Sequence, residues 1–524
     1  MQIYSYEPLG YGGQLVKVEV DIRRGIPTVD IVGLPDGAIK EARDRIRAAL
    51  RNAGHEFPLD KVLVNLAPAG LRKGGAAFDL SIALAILVAS GQLPDLPLAV
   101  LAVGELELSG QVRPVPGVLP AVAEAHQAGI EACIVPPANW REAAVLAGDR
   151  AWALPDMAQA VRLCTALRGG EAAADYRLTV QAPCLPGAAT PLADPAPSFP
   201  DWPDFSELRG QTRLRRAMEI CAAGGHHALL FGPPGAGKTM AAQRFPGLLP
   251  PLDEAVAIET SKIHSLAGIM PAGAGLLRWP AFRAPHHGAS AEGIVGGGKQ
   301  LKPGEISLAH GGVLFLDEAP EFRSDVLQAL REPLEAGYIS ITRADRTVRY
   351  PSRFTLLLAC NPCPCGNLGR GSSVCLCSAD EIRRYWKRLG APLLDRVDIR
   401  VPLQPASAAE LAGGPAEGSA AIRQRVSAAR AIQAKRYRGQ NFTLNGQLGT
   451  GAIDRHCLAG LSGAAGFFAR VEADGLSARA WHSVLRVART IADLAGQTAL
   501  TAEHLEEALA FRRYGDEDWF WQLP

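Results

Sequence analysis

Apolar and polar positions alternate in short runs along the first third of the chain and predict a mixed α/β fold. Residues 16–20 (VKVEV) and 61–65 (KVLVN) carry the two-residue period of strands, and residues 37–54 have helical composition. Residues 80–88 (LSIALAILV) are the most apolar helix-like run. That run is too short for a hydrocarbon layer about 30 Å thick and predicts a core helix instead. From 167 to 203 the periodicity disappears under Ala, Gly and Pro, the composition of an interdomain linker. A second α/β region follows from Asp204 to about Pro405. A Gly/Pro/Ser stretch at 413–419 then leads into a mostly helical end. The expected division is 1–166, linker 167–203, core 204–406 and helical segment 407–524.

Within the second region, the apolar run 228–231 is followed by Gly232, Pro233, Pro234, Gly235, Ala236, Gly237, Lys238 and Thr239, then by helical composition at 240–245. Strand, glycine-rich turn and helix is the setting of a phosphate-binding loop. The glycines let backbone N–H groups converge on phosphate oxygens, and the helix N-terminus adds its dipole. Lys238 is placed for the β- and γ-phosphates, and Thr239 for Mg²⁺. A second apolar run, 312–316, ends in Asp317 and Glu318. There Asp317 is placed to complete the Mg²⁺ shell and Glu318 to polarise a water. A third run, 354–359, ends at Cys360–Asn361. Asn361 either orients that water and touches the γ-phosphate or caps the turn before Pro362.

Composition adjusts this picture in three ways. A chain of 524 residues is too long for one core. A net charge of +1 confines any nucleic-acid contact to local patches. The N-terminus lacks the basic and apolar regions of a signal peptide, which leads us to expect a cytoplasmic enzyme with no membrane partner and ten cysteines outside any disulfide framework. Four of these form the pairs Cys363/Cys365 and Cys375/Cys377, a thiolate set suited to structural Zn²⁺, although C-x-C pairs are also redox-active or idle. Residues 338–350 alternate and turn near Ala344–Asp345, which predicts a hairpin. Its Arg343, Arg346 and Arg349, with Lys299 and Lys302 upstream, are candidate DNA contacts or simply a solvated face. The cations Arg423, Arg425, Arg430, Lys435, Arg436 and Arg438 are expected on the solvent side of a helix.

The loop at 232–239, the strand ending in Asp317–Glu318 and Asn361 together resemble the Walker A, Walker B and sensor-1 elements of AAA+ ATPases. Residues 391–399 are similar to the family's arginine-finger region, which implies Arg396 as a finger acting in trans. Read alone, Arg396 is equally a surface ion pair with Asp395 or Asp398. Residues 476–481 resemble a sensor-2 helix, which implies that Arg479 reaches back to the γ-phosphate. The segments 282–288, 296–298, 303–310 and 317–322 narrow the resemblance to magnesium-chelatase-like AAA+ proteins of the ComM/YifB type. That resemblance implies ATP and Mg²⁺ as ligands, a hexameric ring, and branch migration on single-stranded or branched DNA beside recombination proteins. Alternatives are a chelatase-type motor or a protease-associated unfoldase. The adjacent His286 and His287 are ill-placed to share one metal ion and are expected in a loop or interface. The N-terminal region, clearest at 104–115, resembles the Lon-protease (ribosomal S5-like) α+β fold. The resemblance places Ala77 and Leu119 where a Ser–Lys dyad would stand, so proteolysis is not expected, and Lys73 is expected as a solvated charge.

Overall fold

The computed structural model describes residues 1–181, 200–271, 273–298, 300–343, 346–369, 374–414, 416–458, 461 and 476–512. The N-terminal domain is built on seven strands: β1 (Gln2–Leu9), β2 (Gly12–Arg23), β3 (Thr28–Val32), β4 (Lys61–Ala67), β5 (Ala99–Ala102), β6 (Ala132–Val135) and β7 (Ala151–Ala153). They lie in the order β3-β4-β2-β1-β5-β6-β7. The helix Gly37–Asn52 starts where the Asp36 carboxylate accepts the Ile39 N–H at 3.0 Å, and buries Ile39, Ala42, Ile46, Ala49 and Leu50 along one stripe. The apolar run expected as a core helix is the helix Asp79–Ala89, buried from Asp79 to Leu87 between the sheet and the first helix.

Two expectations for this part of the chain change. The stretch read as linker from 167 begins instead with the helix Glu171–Gln181. Tyr176 on it is 2% exposed and donates its hydroxyl to the Ala153 carbonyl at 2.8 Å, while Arg177 lies 4.3 Å from the Trp152 ring. A Tyr and an Arg can staple an Ala-rich segment whose periodicity is too weak to read. Lys73 is likewise not solvated. It is fully buried, and its ammonium donates to the carbonyls of Gly33 (2.8 Å), Leu66 (2.9 Å) and Pro68. Three carbonyl acceptors converging on one ammonium make its burial tolerable.

The second region is a parallel sheet of β8 (Ala228–Phe231), β9 (Phe282–Arg283), β10 (Val313–Leu316), β13 (Thr355–Cys360) and β14 (Ile399–Pro402), in the order β9-β10-β13-β8-β14. Strands β8, β10 and β13 are buried at every position, as parallel strands covered on both faces require. The first strand in sequence sits between later ones, so the loops at the carboxyl ends of β8, β10 and β13 surround a crevice. Between β10 and β13 the chain forms the hairpin of β11 (Tyr338–Arg343) and β12 (Arg346–Pro351), with Arg343 opposite Arg346.

The C-terminal helices Ser419–Arg436, Ala478–Leu494 and Ala502–Ala510 pack around the helix Thr212–Gly224 and extend the same core. This packing corrects the solvent-facing expectation for part of the cationic run. Arg430 donates twice to the Ala222 carbonyl (2.9 and 2.7 Å), Gln433 donates to that of Ala223 (3.1 Å), and Arg423 donates to that of Gly247 (2.8 Å). Arg436 forms a bidentate pair with buried Asp493 (2.8 and 2.6 Å). The last carbonyls of the helix Thr212–Gly224 lack intrahelical partners, and Arg430 and Gln433 of the C-terminal helices supply donors to those of Ala222 and Ala223.

The two regions touch through the helices Val118–Gln127 and Glu254–Ala267, with the Gly117 N–H donating to the Ser265 carbonyl at 3.0 Å. Leu119, fully buried, packs there with Ala257 and Leu276. No helix among the described residues is long and apolar enough to cross a membrane.

Candidate active site

The loop after β8 turns through left-handed Gly235 and Gly237 (φ +83° and +87°), so that the helix Lys238–Arg244 starts with its N–H groups facing the crevice. The Lys238 ammonium is folded into the loop. It donates to the carbonyls of Gly232 (2.5 Å) and Pro233 (3.0 Å) and to Asn361 Oδ1 (3.2 Å). Burial lowers its pKa, and the acidic groups of Cys360, Asp317 and Glu318 oppose that shift. Thr239 Oγ1 donates to Asp317 Oδ2 at 2.7 Å, and the Glu318 N–H donates to Asp317 Oδ1 at 3.0 Å. A hydroxyl and a carboxylate at this separation form the pair that one Mg²⁺ would share, so these donors fit the ion.

Glu318 itself adopts φ +51°, uncommon for a residue with a Cβ. The twist directs its carboxylate across the cavity mouth toward His287, whose Nδ1 lies 3.3 Å from Oε2. His287 is braced by the His286 ring (centroids 4.1 Å) and the Phe322 ring (6.4 Å). The histidine pair thus occupies a loop, as expected, but one that reaches the Walker B carboxylate. Only the strand order, which sets β9 beside β10, brings it there. The cavity has a volume of about 440 Å³ and is lined by Pro234–Met240, Asp317, Glu318, Cys360 and Asn361.

Arg396 and Arg479 are not part of this lining. Both line a second cavity of about 420 Å³, where both guanidiniums pair with Glu335, Arg479 at 3.3 Å. Arg479, expected to reach back to the γ-phosphate, stands in this chain beside Arg396 and Glu335. The helix Ala478–Leu494 is anchored beside β14 by Asp398, which accepts from Ser483 (2.5 Å) and Arg486 (2.8 Å). That anchorage directs Arg479 toward Glu335. The alternative pairing of Arg396 with Asp395 or Asp398 is not found either, since Asp398 serves His226, Ser483 and Arg486.

The basic hairpin presents exposed Arg343, Arg346 and Arg349, with the Arg349 guanidinium 4.9 Å from the Tyr338 ring. Exposed Lys302 lies on a two-residue ribbon, Gly296–Gly297 with Lys302–Pro303, that packs on β11, and Tyr350 donates to the Leu301 carbonyl at 2.8 Å. Lys299 and the turn residues Ala344 and Asp345 lie outside the described residues. The four thiols of Cys363, Cys365, Cys375 and Cys377 converge within 4.8 Å of one another.

Comparison with known proteins accords with this geometry. Residues 204–411 match the family "Magnesium chelatase, subunit ChlI", residues 18–139 "Subunit ChlI of Mg-chelatase", and residues 416–512 the ChlI C-terminal family. An uncharacterized protein of Escherichia coli, YifB, is 41% identical over 513 residues, covering 97% of this chain and 96% of its own. The competence protein ComM of Haemophilus influenzae is 41% identical over 520 residues, 97% of each chain. The magnesium-chelatase 38 kDa subunit of Rhodobacter capsulatus is 28% identical over 191 residues, 33% of this chain and 53% of its own. Near-complete coverage by the first two, on a parallel sheet with a phosphate loop and an acidic strand end, supports an ATPase motor. The chain belongs to the magnesium-chelatase-like AAA+ proteins of the ComM/YifB type.

Proposed function

We propose that this protein is a ring-forming ATPase that hydrolyses ATP between neighbouring subunits and uses the cycle to move DNA strands or junctions. The observation that carries the reading is the division of the site. The phosphate loop, Asp317, Glu318 and Asn361 line one cavity, while Arg396 and Arg479 line another. Phosphoryl transfer benefits from a guanidinium on the transferring group, and a neighbour's arginine pair is the available source. A hexamer is the assembly this reading favours.

Thr239 and Asp317 would hold Mg²⁺, which neutralises charge on the phosphate oxygens when bound. Lys238 balances the β- and γ-phosphates. Glu318 accepts a proton from the attacking water, Asn361 orients that water, and His287 fixes the direction of the Glu318 carboxylate. Arg343 and Arg346, paired across the hairpin, with Arg349 on its other face and Lys302 upstream, supply cations suited to a phosphate backbone. The name of the Haemophilus relative supports DNA uptake as the setting, with recombination proteins as partners. Leu119, buried in the contact between the two regions, supports a scaffolding rather than proteolytic role for the N-terminal domain.

The test is ATP hydrolysis by the full chain without DNA and with single-stranded or branched DNA, together with unwinding of a four-way junction. Stimulation and unwinding are expected. Turnover indifferent to every DNA, with no unwinding, overturns the DNA reading. Stimulation by a tetrapyrrole partner alone would favour the chelatase alternative, which the resemblance to the 38 kDa subunit supports.

A further inference from the structure

The chain leaves Asn361 through Pro362 directly into Cys363, so whatever orders the cysteines also holds the end of β13. Cys363 and Cys365 sulfurs lie 3.3 Å apart, Cys365 and Cys375 3.6 Å, and Cys375 and Cys363 3.6 Å. A Zn²⁺ ion with four thiolates at about 2.3 Å requires a sulfur–sulfur edge of roughly 3.8 Å, close to these separations, whereas a disulfide requires about 2.05 Å. One sulfur also receives a backbone N–H. Leu368 donates to Cys363 at 3.4 Å. An amide aimed at a sulfur belongs to the outer shell that stabilises a metal-bound thiolate. Gly366, at φ +76°, makes the turn that permits this.

That turn rests on the nucleotide site. A Cβ on Gly366 would stand 3.2 Å from the Pro234 ring of the phosphate loop and 3.8 Å from Asn361 Cγ. Trp386 donates to the Pro362 carbonyl at 3.1 Å from the other side. We propose that Cys363, Cys365, Cys375 and Cys377 bind one Zn²⁺, and that the metal braces Asn361 and the phosphate loop for turnover. Soft thiolates in a tetrahedral set select zinc over Mg²⁺ or Ca²⁺. The metal site stands on the cysteines alone, whereas the bracing rests on the ATP-site reading.

Zinc and iron per chain are counted by plasma mass spectrometry on full-length protein purified without added metal. One zinc per chain is expected, and none in the Cys375→Ser/Cys377→Ser variant. Substoichiometric zinc, iron in its place, or zinc retained by that variant overturns the site. Zinc is then removed with a mercurial and a chelator, and Mg²⁺ is restored in excess. Turnover is expected to fall about ten-fold, with the affinity for a fluorescent ATP analogue little changed, and to recover on adding Zn²⁺. Unchanged turnover in folded, zinc-free protein overturns the bracing. If removal costs the fold, Gly366→Ala keeps all four thiols while straining the left-handed turn and pressing a Cβ against Pro234 and Asn361. Full zinc with lowered turnover is then expected, and full zinc with wild-type turnover overturns the bracing. Zinc-loaded wild type that binds no nucleotide would instead overturn the ATP-site reading and leave the metal site standing.

Discussion

Asp398 holds the helix Ala478–Leu494 to the parallel sheet, and replacing it with Asn isolates that role. The carboxylate is 3% exposed and accepts hydrogen bonds from Ser483 Oγ at 2.5 Å and Arg486 Nη2 at 2.8 Å, with His226 Nδ1 at 2.9 Å. His226 continues the network to Thr490 Oγ1 at 2.7 Å. Burial alone would raise the pKa of Asp398. The Arg486 charge, with His226 and Ser483, outweighs burial and holds the carboxyl far below its ordinary range. Asp398→Asn keeps the volume but leaves Arg486 facing a neutral amide. Breaking a buried pair from one side costs about 3–5 kcal/mol, and an amide that still accepts one bond sits near the lower end, about 3 kcal/mol. At about 2–4 °C per kcal/mol, the melting temperature of the ATPase region should fall by roughly 6–12 °C. The pH dependence has a definite sign. A carboxyl whose folded pKa is depressed stabilises fully above its unfolded value, about 3.9, and loses that contribution as pH falls toward the folded value. The gap between wild type and variant, measured by urea denaturation, should therefore be constant from pH 8 to 5 and narrow below pH 4. Because the anchored helix carries Arg479, ATP turnover should fall while nucleotide binding persists. A loss below about 1 kcal/mol, or a gap that does not narrow in acid, refutes the reasoning.

Other substitutions separate the parts of the site. Lys238→Ala should weaken ATP binding by about 100-fold in calorimetry, the scale of a charged hydrogen bond, with the fold intact by circular dichroism. Glu318→Gln should bind ATP normally yet turn over at least about 100-fold more slowly, as loss of a general base demands. His287→Ala, which frees the Glu318 carboxylate without removing it, should lower kcat about ten-fold and leave affinity unchanged in a steady-state assay. Replacing Arg343, Arg346 and Arg349 with Ala should weaken single-stranded DNA binding. It should also flatten the plot of log affinity against log salt by about 2, for three lost phosphate contacts at about 0.7 each. An unchanged slope would remove the hairpin from the DNA interface.

Much of the fold was legible because its information is local. The stripe of Ile39, Ala42, Ile46 and Leu50, the apolar run of the helix Asp79–Ala89 and the buried runs at β8, β10 and β13 each declare their burial through local pattern. Lys73 and Arg430 were misread for one reason. A cation in sequence has no stated partner, and the carbonyls of Gly33 and Ala222 that accept from these two come from distant or separately folded segments. Residues 171–181 were misread because an Ala-rich helix has a weak apolar period and is fixed by Tyr176 against β7.

The phosphate loop from Gly232 to Thr239 was determined by sequence. Its chemistry comes from backbone amides and two side chains within one turn, and glycine spacing dictates their geometry. Tertiary structure decided where the remaining groups stand. Strand order put His287 against Glu318, and the Asp398 anchor put Arg479 beside Arg396 instead of over its own phosphate loop. The fold also drew four cysteines from two short pairs into one sphere beside Asn361. Contacts between residues far apart in the chain depend on how sheets and helices pack, and no local pattern encodes that.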